Sequence, residues 1–142
     1  MNKIIESEYK FGVESEAIIK PILEEKVGDL ETTERYDSFD FVNNNFTIEL
    51  KTRKNTKTKY LDTIIGKCKF NKADEILENN PEMRILFVFS FTDGIFYWEY
   101  NKEQANNFQE RWIRRRDLGP QHKGQMYMLI PVNILESINN LN

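Results

Sequence analysis

An α/β fold, with a central mixed sheet flanked by helices, follows from three observations. Residues 84–91 (Arg84-Ile85-Leu86-Phe87-Val88-Phe89-Ser90-Phe91) form a near-continuous apolar run, the signature of a strand covered on both faces. Residues 9–27 and 62–79 carry apolar side chains at helical spacing, and two strand-like runs lie between them. Turn-forming residues separate these stretches: Gly28, Asn43-Asn44-Asn45, Asn79-Asn80-Pro81 and Thr92-Asp93-Gly94. A chain of 142 residues, 39% apolar and 30% charged, fits one domain over residues 1–142 with its own core.

The first helix is expected over 9–27, with Phe11, Ser15, Ile19, Ile22 and Leu23 near one face. Pro21 removes one backbone bond within it, and Gly28 ends it. Residues 35–42 and 46–53, rich in Tyr, Phe, Val, Thr and Ile, read as two strands joined by the Asn turn. The lysine-rich stretch 54–59 reads as a loop. A second helix is expected over 62–79, with Ile64, Ile65, Cys68, Ala73, Ile76 and Leu77 as its apolar stripe. The strand 84–91 should return through Thr92-Asp93-Gly94 into a strand over 95–100. Beyond it come a short helix over 101–110, a loop over 117–124, a strand over 126–130 and a closing helix over 133–141.

Composition narrows the function classes. No apolar run approaches the roughly 20 residues that span a bilayer, so no membrane partner is expected. The N-terminal residues lack a signal-peptide pattern, and Cys68 is the single cysteine, so a cytoplasmic, intracellular location is expected. Net charge is −3, which argues against non-specific coating of DNA. Cations are nonetheless concentrated. Between residues 51 and 72, Lys51, Arg53, Lys54, Lys57, Lys59, Lys67, Lys69 and Lys72 face one acid, Asp62, and a second cluster holds Arg111, Arg114, Arg115 and Arg116. A local basic surface is enough for a nucleic-acid ligand.

The chemistry concentrates at Asp40 and at Glu49-Leu50-Lys51. A two-residue turn at Asn44-Asn45 pairs residues whose numbers sum to 89, which sets Asp40 opposite Glu49 and Ser38 opposite Lys51. Cross-strand neighbours on one face have Cβ atoms roughly 4.5–5.5 Å apart, close enough for two carboxylates to share one metal ion. Glu49 and Lys51 share a face through the two-residue period of a strand, leaving Phe39, Phe41, Ile48 and Leu50 as the opposite, core face. A three-residue turn would instead oppose Asp40 to Ile48. Paired carboxylates raise each other's pKa, and a hard divalent ion relieves that cost. Such an ion, with Lys51 beside it, suits hydrolysis of a phosphodiester. The Leu50 carbonyl is a further candidate ligand. On the preceding helix Glu14 and Glu16 both compete for the role of third acid. Glu16 is favoured because it shares the inward face of Ile19 and Leu23.

The order of a helix acid, an Asp on one strand and Glu-x-Lys on the next resembles the PD-(D/E)xK nuclease superfamily. The resemblance runs through about residue 91. In detail, Phe39-Asp40-Phe41 followed by Glu49-Leu50-Lys51-Thr52-Arg53 is similar to small phage- and giant-virus-type members, and the richness in Asn suits an AT-rich phage or viral genome. The chain departs from the family in having no Pro before Asp40 and no clear Gln after the Glu-x-Lys strand, a place for which Lys67 and Lys69 are candidates. The resemblance implies a restriction-endonuclease-like fold and a Mg²⁺- or Mn²⁺-dependent endonuclease. Asp40, Glu49, Lys51 and Glu16 would be catalytic, and Glu16 would reach the metal through water or hold a second ion. DNA is the expected substrate, probed by structure more than sequence because so small a chain has no separate recognition domain; RNA stays open. A catalytically inactive nucleic-acid-binding module on the same scaffold is the alternative, and an interaction protein unrelated to nucleic acid is a third reading.

Phosphate-backbone contacts are expected from Arg53, Lys54, Lys57, Lys67, Lys69, Arg114, Arg115, Arg116 and Lys123. The arginine cluster reads equally as a helix end or a strand clamp, with Trp112 expected in the core. Asp37 reads as a surface acid, His122 as a loop residue within reach of phosphate, and Cys68 as a small apolar helix residue. The aromatic strand 95–100, if at a sheet edge, offers an interface for a homodimer.

Overall fold

The computed structural model describes residues 3–34 and 39–142. Helix α1 runs Lys3–Val27, longer at its start than the apolar period predicts, and continues through Pro21. It ends at Gly28, whose φ of 85° only glycine adopts readily and whose N–H donates to the Glu24 carbonyl at 3.0 Å. Ser15, Ile19 and Leu23 are buried as expected, whereas Ile22 is exposed.

The short strands β1 (Glu31–Thr32) and β2 (Phe41–Val42) lead into β3 (Phe46–Thr52). The antiparallel register Phe41↔Ile48 and Val42↔Thr47 keeps the sum of 89. Asn43 closes the turn, its Oδ1 accepting from the N–H groups of Asn45 (2.9 Å) and Phe46 (2.8 Å). Among the described residues no non-glycine has a positive φ, so this Asn turn needs no left-handed residue. Of the expected strand 35–42, residues 35–38 lie outside the described residues, as do Asp37 and the Ser38–Lys51 pairing.

Residues 62–66 were expected to open a helix. They form strand β4 (Asp62–Gly66) instead, and helix α2 (Lys67–Asn79) starts after Gly66. Asp62-Thr63-Ile64-Ile65 is β-branched and buries alternate residues, so the apolar stripe there has period two. Cys68 on α2 is exposed, not part of an apolar stripe. Strands β5 (Arg84–Phe91) and β6 (Gly94–Glu99) form the expected hairpin. Helix α3 is only Lys102–Ala105, because residues expected to prolong it form strand β7 (Gln109–Ile113). Strand β8 (Gln125–Pro131) pairs with β7. The closing helix does not form. Residues 132–134 and 138–140 are 3₁₀ turns flanking strand β9 (Glu136–Ser137).

The result is an α/β arrangement with a mixed six-stranded sheet, β1-β2-β3-β5-β6-β9, and a separate three-stranded sheet, β4-β8-β7. Among the described residues only β3 and β5 pair in parallel, through the crossover that holds β4 and α2. The six-stranded sheet is apolar on both faces. Ile48, Leu50, Leu86 and Val88 pack with Ile19 and Leu23 of α1, while Ile85, Phe87 and Phe89 pack with Phe70 and Ala73 of α2 and with Met128 and Ile130 of β8. The buried-both-sides reading of 84–91 therefore holds. Strand β6 is no free edge: β9 covers it through Phe96↔Ser137 and Tyr97↔Glu136, which removes the proposed dimer edge. Among the described residues no helix is long and apolar enough to cross a membrane.

Candidate active site

The site is built where β2 gives out. Beyond Phe41 the chain no longer pairs regularly with β3. The Asp40 N–H donates to the Ile48 carbonyl at 2.9 Å, although Phe41 is the residue in register with Ile48. The irregularity turns Phe39 away from Phe41. Phe39 packs among Phe70 and Phe87 on the α2 face, while Phe41 packs with Ile48 on the α1 face. The expected common core face for both phenylalanines is thus corrected: a bulge-like kink breaks the two-residue period at Asp40. Thr33, just after β1, pins the kink, its N–H donating to the Asp40 carbonyl (3.0 Å) and its hydroxyl to the Phe39 carbonyl, with the Asp40 carbonyl also in reach.

With β2 ended, the backbone of β3 beyond Glu49 lacks a strand on that side. The Asp40 carboxylate takes the vacant place, its Oδ2 accepting from the Leu50 N–H at 2.7 Å. A charged acceptor on a backbone donor makes a short, strong bond. Asp40 therefore sits at the sheet edge, reachable from both faces. Glu16 of α1 and Glu49 of β3 both lie near enough for the Asp40 carboxylate to act on their titration. Burial, followed by the Asp40 charge and hydrogen bond, pushes the Glu16 carboxyl up to about 7; Lys51 partly opposes the rise. For Glu49, burial first and then the hydrogen bond and charge of Asp40 raise the carboxyl to about 8, with Lys51 and Lys69 pulling the other way.

Glu16, Asp40, Leu50 and Lys51 line one groove of about 470 Å³, with Phe11, Arg53, Lys54 and Arg115 around it. Glu14 is exposed and does not line it. Glu49 lies behind the groove wall, 2% exposed, beside its lateral partner Phe87. Among the described residues its Oε2 has no hydrogen-bond partner of good geometry, and Lys69 Nζ lies 2.9 Å from it. Lys69 also lies 5.6 Å from the Phe39 ring centre. Lys69 thus faces the acids rather than an open surface.

The remaining predicted cations divide by what holds them. Arg53 is a clasp between β3 and β4, donating from Nη2 to the Ile64 carbonyl (2.6 Å) and from Nε to Thr63 Oγ1 (3.4 Å). Lys54 lies over the Phe11 ring at 4.6 Å and Lys57 over Phe96 at 4.9 Å. Lys67 pairs with Glu110 at 2.6 Å. Arg114 braces the β7–β8 connection, donating to the carbonyls of His122 (2.9 Å) and Pro120 (3.4 Å). Arg115 bridges Glu8 of α1 (2.7 Å) and Asp117 (2.8 Å) at the groove mouth. Arg116 and Lys123 are exposed. Trp112 is 59% exposed on β7, not in the core and not on a helix end.

Among the described residues no group of three or more His, Cys, Asp or Glu side chains stands ready to hold a metal ion. The donor chemistry nevertheless fits a hard cation. Two carboxyls flank a third so closely that they keep protons far above the usual carboxylate range, and a divalent ion removes that repulsion. Enclosing an ion between Asp40 and Glu49 requires Glu49 to exchange Lys69 for it. Sequence reasoning missed the kink at Asp40 and the exposure of Trp112; for Trp112 the available signal was the charged run around it, Glu110-Arg111 before and Arg114-Arg115-Arg116 after, broken only by Ile113. No family model matches this chain, and no curated protein matches it.

Proposed function

We propose that this chain is a metal-dependent endonuclease with a restriction-endonuclease-like fold of the PD-(D/E)xK kind, hydrolysing phosphodiester bonds in DNA. The observation that supports it best is the Asp40 carboxylate at the open edge of β3, shared by Glu16 and Glu49 and lying in one groove with Lys51. Asp40, Glu49 and the Leu50 carbonyl would hold Mg²⁺ or Mn²⁺, with Glu16 reaching it through water. When bound, that ion would supply an activated water and neutralise charge on the scissile phosphate. Lys51 orients the attacking water and stabilises developing negative charge from the groove wall. Its carboxylate held by the Leu50 N–H, Asp40 keeps a fixed direction without rearrangement. Without the ion, burial and the Asp40 charge hold the Glu16 carboxyl up at about 7, a cost that a bound cation would relieve.

Branched, duplex and single-stranded DNA, with RNA as a fourth substrate, incubated with Mg²⁺ or Mn²⁺ should show cleavage that Asp40→Ala and Lys51→Ala each lower by at least 100-fold. Failure of folded protein to cut any of them, or cutting that survives Asp40→Ala, ends the proposal. One observation favours the second reading, an inactive nucleic-acid-binding module: Glu49 is buried and engaged by Lys69. That reading expects salt-sensitive binding that neither substitution changes.

A further inference from the structure

We infer that Trp112 is a stacking platform for an unpaired base, which makes the substrate class a nucleic acid with a single-stranded or frayed segment. The inference rests on the nucleic-acid reading above but not on catalysis. A tryptophan ring 59% exposed on a strand needs a reason, because burying it would be favourable and the core accommodates Trp98 at 4%. The ring is held in place as well as exposed. Gly124 lies beneath it at φ 89°, and a Cβ there would come within 2.7 Å of Trp112 Nε1 and 2.8 Å of the Ile113 carbonyl. Glycine therefore lets the ring lie close against the root of the hairpin.

The surroundings select the occupant. Between residues 111 and 123 five cations, Arg111, Arg114, Arg115, Arg116 and Lys123, face one acid, Asp117. Arg114 and Arg115 are committed to bracing the loop and to Glu8 and Asp117, while Arg111, Arg116 and Lys123 are exposed. An exposed aromatic ring on the same hairpin as exposed cations complements a polyanion with accessible bases. It disfavours a second copy of this chain, whose like-charged tip would be repelled. Arg115 ties this hairpin to the candidate active site, since it lines the same groove as Glu16 and Asp40. Arg115 lies three positions beyond Trp112, at most about 10 Å of chain, so a strand stacked on the ring reaches the groove within a few nucleotides.

The two tryptophans make the test direct. Trp98 is buried, with Nε1 donating to Gln104 at 2.8 Å, so quenching by added ligand reports Trp112. In EDTA at low salt, oligothymidylate should quench the tryptophan emission, and a blunt duplex of equal length should not. Trp112→Ala should weaken binding of labelled oligothymidylate roughly tenfold, the value of one stacked base, while leaving duplex binding within twofold. Equal quenching by duplex, an unchanged affinity in Trp112→Ala, or loss of a dimer in that variant overturns the inference. Quenching without cleavage under Mg²⁺ leaves the platform standing and removes the hydrolase. Asp40-dependent cleavage without quenching does the reverse, and binding of neither nucleic acid removes both.

Discussion

Replacing Glu49 by Gln keeps the shape of the side chain and removes its titration, and the expected consequence is a protein that loses less stability as pH rises. In the folded chain Glu49 holds its proton up to about pH 8, against 4.5 for an unperturbed carboxyl, chiefly because it is buried and because Asp40 is alongside. Between those values the folded state binds a proton that the unfolded state has released, so stability falls with increasing pH. It is complete below about 4.5 and lost as pH passes 8. At about 1.4 kcal/mol per pH unit the loss reaches a ceiling of roughly 5 kcal/mol, a large share of the 5–15 kcal/mol typical of a domain. Entry of water lowers that ceiling, and a decline of at least about 2 kcal/mol is expected.

Urea unfolding followed by circular dichroism from pH 5 to pH 9, in EDTA, measures it. The wild-type midpoint should fall steadily; Glu49→Gln should show only the shallower decline contributed by Glu16, finished near pH 7. Added Mn²⁺ at pH 8 should restore the wild type and not the variant, since the ion takes the place of the proton. Curves for the two proteins that stay parallel within about 0.5 kcal/mol across the range would refute the assignment of Glu49 as a buried proton-holding group.

Arg53→Met should cost about 2 kcal/mol in thermal unfolding, because it removes a charged donor from the Ile64 carbonyl and unclasps β3 from β4. Gly124→Ala should destabilise by roughly 1–2 kcal/mol and alter Trp112 emission, since both the positive φ and the 2.7 Å approach to the indole exclude a Cβ; an unchanged spectrum and melting temperature would contradict it. Arg115→Ala, by contrast, should change stability by less than about 1 kcal/mol, its partners Glu8 and Asp117 being exposed.

The sequence reading succeeded where a local rule and burial agreed. The Asn turn fixed the register of β2 with β3, and the uninterrupted apolar run of 84–91 announced a strand with a core on either side. It failed where a short apolar run obeys both periods. Residues 62–66 satisfied a helical stripe, yet their β-branched side chains and the partner strand β8 made them β4. The closing segment 133–141 forms no helix, and it instead covers β6 with the two residues of β9. Trp112 was assigned to the core by its type alone. Type gives an average burial, whereas the exposed edge of β7 and the glycine beneath the ring decide this one.

At the candidate site the sequence identified the acids but not how they meet. Alternation placed Asp40 and Glu49 face to face on one surface of a regular hairpin. In the fold they meet because the hairpin is not regular: the kink swings Asp40 into the gap left by a two-residue strand, where the Leu50 N–H holds it. That position alone lets one carboxylate contact an acid from the α1 face and another from the α2 face. The same geometry explains why Glu49 is buried and paired with a lysine while Glu16 opens onto solvent. Burial is the larger cause of both elevated carboxyls and Asp40 the next, so a substitution that releases the kink, such as Thr33→Val, should lower both only in part.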